Sequence, residues 1–277
     1  MDSDMRIRPM TSADIEPTAQ AVLAGGWPDL RQYFRFYTSH PACRPFVAEI
    51  NGQIVGTANG TKSGTVGWLG HIFTSPDYRG HGLGTALTET LMADLTERGC
   101  ASLLLGASEM GQSIYAKLGF QVVSAYYYLN GPYREASPSS TRLQPLTSAD
   151  LPELCAFDRQ VTGEDRAHLF QAFQESGWIT RVAQTGQMTG YAVLAPWENG
   201  PVVARDAEAA RLLLEQVSRA AGDEQVFAAL PAENAAGLTL LEQAGFTISR
   251  RIPRMLKGEP VCWEPTALWR IFGLSLG

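Results

Sequence analysis

Apolar and polar positions along this chain fall into short strand-like runs separated by longer amphipathic stretches. Met5 to Pro9 predicts a strand, and Asp14 to Leu23 and Leu30 to Tyr37 predict helices on either side of the Gly25-Gly26-Trp27-Pro28 break. Phe46 to Ile50 and Gln53 to Asn59 predict a hairpin, whose Asn51-Gly52 corner suits a type I′ turn. Val66 to Thr74 reads as a further strand that feeds a glycine-rich loop and then a helix to about Arg98. Leu103-Leu104-Leu105 is a short buried strand and Gln112 to Leu118 a short helix, with Gly119 suited to the left-handed position that ends it.

The pattern then starts again. Arg8-Pro9-Met10-Thr11-Ser12-Ala13-Asp14-Ile15 recurs as Gln144-Pro145-Leu146-Thr147-Ser148-Ala149-Asp150-Leu151, a strand end followed by a capped helix start. Tyr115-Ala116-Lys117-Leu118-Gly119-Phe120 is echoed by Leu241-Glu242-Gln243-Ala244-Gly245-Phe246. Two landmarks in the same order predict tandem copies of one α/β unit, residues 1–135 and 136–277. The Pro/Ser-rich stretch from Pro132 to Ser140 reads as the linker.

The first copy carries the candidate chemistry. After Ser75-Pro76-Asp77 comes Tyr78-Arg79-Gly80-His81-Gly82-Leu83-Gly84-Thr85. Glycine at Gly80, Gly82 and Gly84 lets the main chain wrap a ligand with its N–H groups exposed, and those groups sit at the positive end of a helix. The pattern is a diphosphate cradle. A Walker loop would place lysine after its glycines, and a Rossmann fingerprint would space them G-x-G-x-x-G. Neither fits. The plain alternative is a glycine turn that merely starts a helix.

Composition narrows the classes. Apolar content of 45%, charged content of 18% and a net charge of −6 are those of a globular protein with no phosphate-backbone footprint, so nucleic acid is not an expected partner. No apolar run approaches the ~20 residues of a membrane span, and Met1-Asp2-Ser3-Asp4 does not resemble a signal peptide. A cytoplasmic location without membrane attachment is expected. Cys43, Cys100, Cys155 and Cys262 are far apart, without metal-ligand spacing, so idle thiols and no metal are expected. A cysteine acetyl relay is the alternative.

The run Arg79-Gly80-His81-Gly82-Leu83-Gly84, followed by Tyr115-Ala116-Lys117-Leu118-Gly119-Phe120, resembles the Gcn5-related N-acetyltransferase (GNAT) superfamily. Over the whole chain the resemblance is to its bacterial tandem-domain branch, in which holothin acyltransferase and YitH-like proteins are placed. Gly67-Trp68-Leu69-Gly70, Gly163-Glu164-Asp165-Arg166, Arg254-Met255 with Gly258, and Leu274-Ser275-Leu276-Gly277 also fit that branch. The resemblance implies a mixed α/β fold class: two tandem domains, each a mostly antiparallel mixed sheet flanked by helices.

It implies acetyl-CoA as cosubstrate, held by Ile72, Phe73 and Thr74 on the splayed strand and by Arg79, Gly80, His81, Gly82, Leu83, Gly84 and Thr85 in the loop. Ser108 is placed with them, although Gly106-Ala107-Ser108 stands where relatives often show Asp-Ala-Thr. Tyr115 matches the tyrosine that protonates the departing thiolate; its alternative is a core tyrosine. The implied activity is acetyl transfer to a small-molecule primary amine by direct attack in a ternary complex, from a monomer or homodimer. A CoA-binding module without turnover, and protein N-terminal or lysine acetylation, are the alternatives.

Such a transfer needs a neutral amine, hence a base near the strand. His71 is the first candidate, since imidazole has an unperturbed pKa near ~6.5; a half-buried structural histidine is the alternative. Glu109 and Glu49 are weaker candidates. His81 is expected to point to solvent. Trp27, Tyr33, Phe34, Phe36 and Tyr37 crowd the helix pair, as core or as an aromatic wall of the acceptor site. The second copy has Pro201 to Glu208 in place of the loop and Leu241 in place of Tyr115, so it should keep the fold without the cosubstrate. Packing against the first copy and shaping the acceptor site are both open as its role.

Overall fold

The computed structural model describes residues 5–131, 142–174, 179–184, 186–195, 198–221 and 226–277. The expected linker and the 135/136 division fall outside these residues. The chain forms two compact units that interleave along the sequence. Unit 1 is Met1–Gln121 with Met255–Glu259 and Leu274–Leu276, and unit 2 is the remainder.

Unit 1 contains β1 (Met5–Pro9), α1 (Ile15–Ala24), α2 (Arg31–Ser39), β2 (Cys43–Ile50), β3 (Gln53–Ser63), β4 (Val66–Thr74), α3 (Leu83–Glu97), β5 (Ser102–Gly106) and α4 (Glu109–Lys117). The expected elements are all present, with ends displaced by a few residues. Strands lie in the order β1-β2-β3-β4-β5, antiparallel until β4 meets β5 in parallel. Asn51 and Gly52 have φ of 51° and 79°, as a type I′ corner requires. Leu83, Leu87, Leu91 and Leu95 repeat at the four-residue spacing of one helical face. They share a core with Ala48, Val55, Ala58 and Leu69.

Unit 2 takes β6 (Gln121–Gly131) after its first residue, then β7 (Leu143–Pro145), α5 (Leu151–Thr162), α6 (Ala167–Gln174), β8 (Ile179–Gln184), β9 (Gln187–Ala195) and β10 (Glu198–Ala204). It continues with α7 (Ala207–Ala221), β11 (Val226–Pro231), α8 (Ala235–Gln243), β12 (Thr247–Gly258) as far as Arg254, and β13 (Leu268–Arg270). One sheet runs β13-β10-β9-β8-β7, and β11 pairs antiparallel with β6.

The repeat is visible at atomic level. The N–H and hydroxyl of Thr11 both donate to Asp14, at 2.8 and 2.7 Å, and Thr147 does the same to Asp150 at the same distances. Gly119 (φ 92°) closes α4 while the Phe120 N–H donates to the Tyr115 carbonyl at 3.0 Å. Gly245 (φ 91°) closes α8 with the same bond from Phe246 to Leu241.

Arg166, from the Gly163-Glu164-Asp165-Arg166 motif, is buried in unit 2 against buried Asp158. Its Nε donates to Asp158 Oδ2 at 3.0 Å and its Nη1 to the Gly277 carbonyl at 2.9 Å, while Tyr191 donates to Asp158 Oδ1. Arg166→Met would leave the Asp158 carboxylate buried without a counter-ion, an expected loss of about 3–5 kcal/mol. Urea unfolding measures it; a loss in the ~0–1 kcal/mol range of exposed pairs would overturn the expectation.

Candidate active site

β4 ends at Thr74, and the chain turns through Ser75-Pro76-Asp77 into the loop ahead of α3. Gly80 and Gly82 adopt φ of 80° and 79°, with no atom within 4 Å of where a Cβ would stand. Backbone conformation, not crowding, therefore calls for glycine there. A Cβ at Gly84 would meet only ordinary contacts with Thr74 and Ile114. The first intrahelical bond runs from the Ala86 N–H to the Gly82 carbonyl at 3.0 Å. The N–H groups of Leu83, Gly84 and Thr85 precede it and are the orphan donors of a helix start, at the positive end of its dipole. Arg79 folds back to donate from Nε to the Thr74 carbonyl at 3.2 Å.

These residues line a cleft of about 420 Å³. Its other walls are Ile72, Phe73 and Thr74 of β4, Trp27, and Ser108, Met110, Gly111, Ile114 and Tyr115 around α4. β4 and β5 pair only where Val66–Trp68 meets Ser102–Leu104, so from Leu69 onward β4 parts from its neighbour. Ser108 caps α4, its Oγ accepting from the Gly111 N–H at 3.2 Å. Of the positions expected to hold the cosubstrate, the cleft gathers all but His81, which is exposed.

Tyr115 is buried against Phe120, and burial pushes its phenol up to about 12, so it stays protonated at neutral pH. Among the described residues its hydroxyl has no hydrogen-bond partner. Gly111, one turn earlier, makes room for the ring: a Cβ there would lie 2.7 Å from Tyr115 Cε2.

His71 sits on a β-bulge. Asn59 pairs with Gly70 and Thr57 with Phe73, so Ala58 alone faces both His71 and Ile72. Its φ of 48° is a left-handed conformation uncommon outside glycine, of the kind that clusters at functional sites. Tyr33 and Trp27 stand edge-on to the ring at 4.9 and 6.5 Å, and the Tyr37 hydroxyl lies 2.8 Å from Nδ1. Solvent reaches part of its surface, yet the packed rings exclude most water, and burial pushes its pKa down to about 4. The imidazole is therefore neutral at pH 7 but a weaker base than a free histidine.

Among the aromatic residues of this region, Trp27, Tyr33 and Tyr37 gather at His71. Phe34 belongs to the core, and Phe36 stacks on His40 at 4.8 Å. Glu49 is held by Arg8, whose Nε donates to it at 3.1 Å, and Glu109 is exposed in the first turn of α4. Neither lines the cleft. Met110, Gly111 and Ile114 line the cleft without being among the positions expected to hold the cosubstrate, and of the three only Gly111, four residues before Tyr115, stands one helical turn from it.

In unit 2 the turn between β10 and α7 is Arg205-Asp206, and Asp206 Oδ1 accepts from the Ala209 N–H at 2.8 Å. A carboxylate thus occupies the helix start that unit 1 leaves open. Leu241 is buried in an apolar cluster with Leu230 and Phe246.

Two family models match the chain: "Acetyltransferase (GNAT) family" over residues 13–120 and "Acetyltransferase (GNAT) domain" over residues 154–268. The chain is a tandem GNAT protein. An acetyltransferase of Pectobacterium atrosepticum is 36% identical over 80 residues, covering 28% of this chain and 57% of the relative. One from Yersinia pestis is 37% identical over 78 residues, covering 27% and 55%. The chain thus spans a little over half the length of these curated relatives.

Among solved structures, a Pyrococcus horikoshii protein assigned to the acetyltransferases aligns with a TM-score of 0.82 at 18% identity, covering 99% of this chain and 96% of that one. A tandem GNAT protein from the clavulanic acid biosynthesis pathway aligns at 0.66 and 14% identity, covering 93% and 99%. At these identities the likeness is one of fold. Among the described residues no helix is long and apolar enough to cross a membrane, and no group of three or more His, Cys, Asp or Glu could hold a metal ion.

Proposed function

We propose that unit 1 is an acetyl-CoA-dependent N-acetyltransferase acting on a small-molecule primary amine, with both substrates bound together. The observation that carries this reading is the run of orphan N–H donors at the start of α3, opening on the same cleft as the unpartnered Tyr115 hydroxyl. A pyrophosphate is the ligand such donors and a helix dipole stabilise. Bound acetyl-CoA supplies an electrophilic thioester carbonyl. The Thr74 main-chain N–H, on the edge of β4 that has left β5, is the donor offered to polarise it, while the Phe73 N–H faces β3.

Tyr115 donates its proton to the departing sulfur, and His71 accepts one from the attacking amine. The amine N–H becomes more acidic as its nitrogen bonds to carbon, so a neutral imidazole of modest basicity suffices. The proposed setting is a bacterial cytoplasm, consistent with four free cysteines.

A thiol-release assay with acetyl-CoA over an amine library tests this reading. Release with small amines is expected; release with peptides alone, or none with any amine, would overturn it. His71→Asn is expected to lower kcat about 10²-fold without changing CoA affinity, since asparagine tolerates left-handed φ. An unchanged kcat would remove His71 from proton transfer. The folded pKa of His71 lies below its ordinary 6.5, at about 4, so the unfolded chain binds the proton first. Stability is therefore full above about pH 6.5, falls as pH drops from there to about 4, and loses nothing more from this group below that. His71→Asn should lose less stability than wild type between about pH 7 and about pH 4.5, measured by urea unfolding.

A further inference from the structure

We propose that Tyr37 and Ser275 are positioning residues for His71, holding its ring hydrogen on Nδ1 and leaving Nε2 as the atom that accepts a proton. The inference rests on the reading of His71 as the base, but its content is a tautomer, measurable without turnover.

Tyr37, buried on α2, places its hydroxyl 2.8 Å from His71 Nδ1 and 2.7 Å from Ser275 Oγ. A phenol has one hydrogen. Here it donates to Ser275 Oγ, so His71 Nδ1 meets an oxygen lone pair and must itself carry a hydrogen. In a neutral imidazole the other nitrogen is then bare. The bulge and the left-handed φ at His71 hold the ring in this contact.

The Ser275 hydroxyl is fixed from its own main chain. Thr61 Oγ1 donates to the Ser275 carbonyl at 2.8 Å, and Asn59 Nδ2 donates to Thr61 Oγ1 at 3.0 Å. Gly70 and Gly106 admit the segment. A Cβ at Gly70 would lie 2.5 Å from Ser275 Cα, and one at Gly106 would lie 2.5 Å from Leu274 Cδ1. All these residues belong to unit 1. Ser275 is buried beside Leu274 and Leu276, where alanine would fill the same place. Its hydroxyl has a partner in Tyr37 and through it a purpose at His71.

The test is long-range ¹H–¹⁵N spectroscopy of the full chain labelled in its histidine rings, with His71 assigned by its loss in His71→Asn. Wild type should show a pyrrole-type Nδ1 and a pyridine-type Nε2. In Ser275→Ala the phenol hydrogen loses its acceptor and turns to Nδ1, so the two nitrogens should exchange character. Its kcat should then fall about 10-fold or more, with an unchanged KM for acetyl-CoA. In Tyr37→Phe the ring should relax to the mixture shown by free imidazole.

A wild-type hydrogen on Nε2 would overturn the proposal with no variant needed, and so would a tautomer unmoved in both variants. A tautomer that moves as stated while His71→Asn keeps full kcat would sustain the positioning and overturn only the base.

Discussion

Gly82→Asp is expected to abolish acetyl-CoA binding by unit 1. Gly82 is the residue before α3, at φ 79°, and nothing stands within 4 Å of its missing Cβ. An aspartate therefore fits in space, at the ~1–2 kcal/mol cost of a left-handed side chain, so unit 1 should still fold. Its carboxylate would stand beside the orphan donors of Leu83, Gly84 and Thr85 and would both occupy them and repel a pyrophosphate. Unit 2 shows the arrangement, with Asp206 accepting the Ala209 N–H at the start of α7.

Affinity should fall at least about 10²-fold, roughly 2.7 kcal/mol, measured by titration calorimetry. The wild-type chain should bind one CoA. Gly82→Ala, which adds the strain without the charge, separates the two causes and should retain measurable binding. Two CoA per chain, or undiminished affinity in Gly82→Asp, would refute the assignment.

Tyr115→Phe should lower kcat roughly 10²-fold or more and leave the fold intact. The ring packs on Phe120 and over Gly111, contacts phenylalanine keeps. The hydroxyl has no partner among the described residues, so its removal strands no buried group. Burial raises the phenol to about 12, which keeps its proton in place at neutral pH until a thiolate develops charge beside it. Single-turnover thiol release and a thermal melt read the two effects separately. An equal rate with an equal melt would make Tyr115 a core residue.

Much of the site was legible in sequence because its parts are local. Positive φ at Gly80 and Gly82, the opening of α3 and the Gly119-Phe120 closure of α4 are each settled within about one turn of chain. The tandem repeat was legible for the same reason, since Thr11 with Asp14 and Thr147 with Asp150 close over three residues. The cleft residues of unit 1 follow from these local pieces once β4 and α4 are placed on one sheet.

The environment of His71 was not legible. Its unperturbed pKa near ~6.5 suited a base at neutral pH. A bulge, two tyrosines and a tryptophan push it to about 4, and none of these is encoded by spacing near residue 71. Nor did the sequence tell what Gly70 and Gly106 are for. They clear a path for Leu274 and Ser275, a segment that also meets Tyr37 from 238 positions away.

By itself, then, the sequence determined the loop, the caps, the order of elements and the replacement of the glycine loop and of Tyr115 in the second copy, because each depends on backbone conformation or residue type within a few positions. The tertiary structure decided which strand ends complete each unit, how far β4 parts from β5 and which side chains surround the His71 ring. Those depend on desolvation and on hydrogen bonds between residues that only packing brings together.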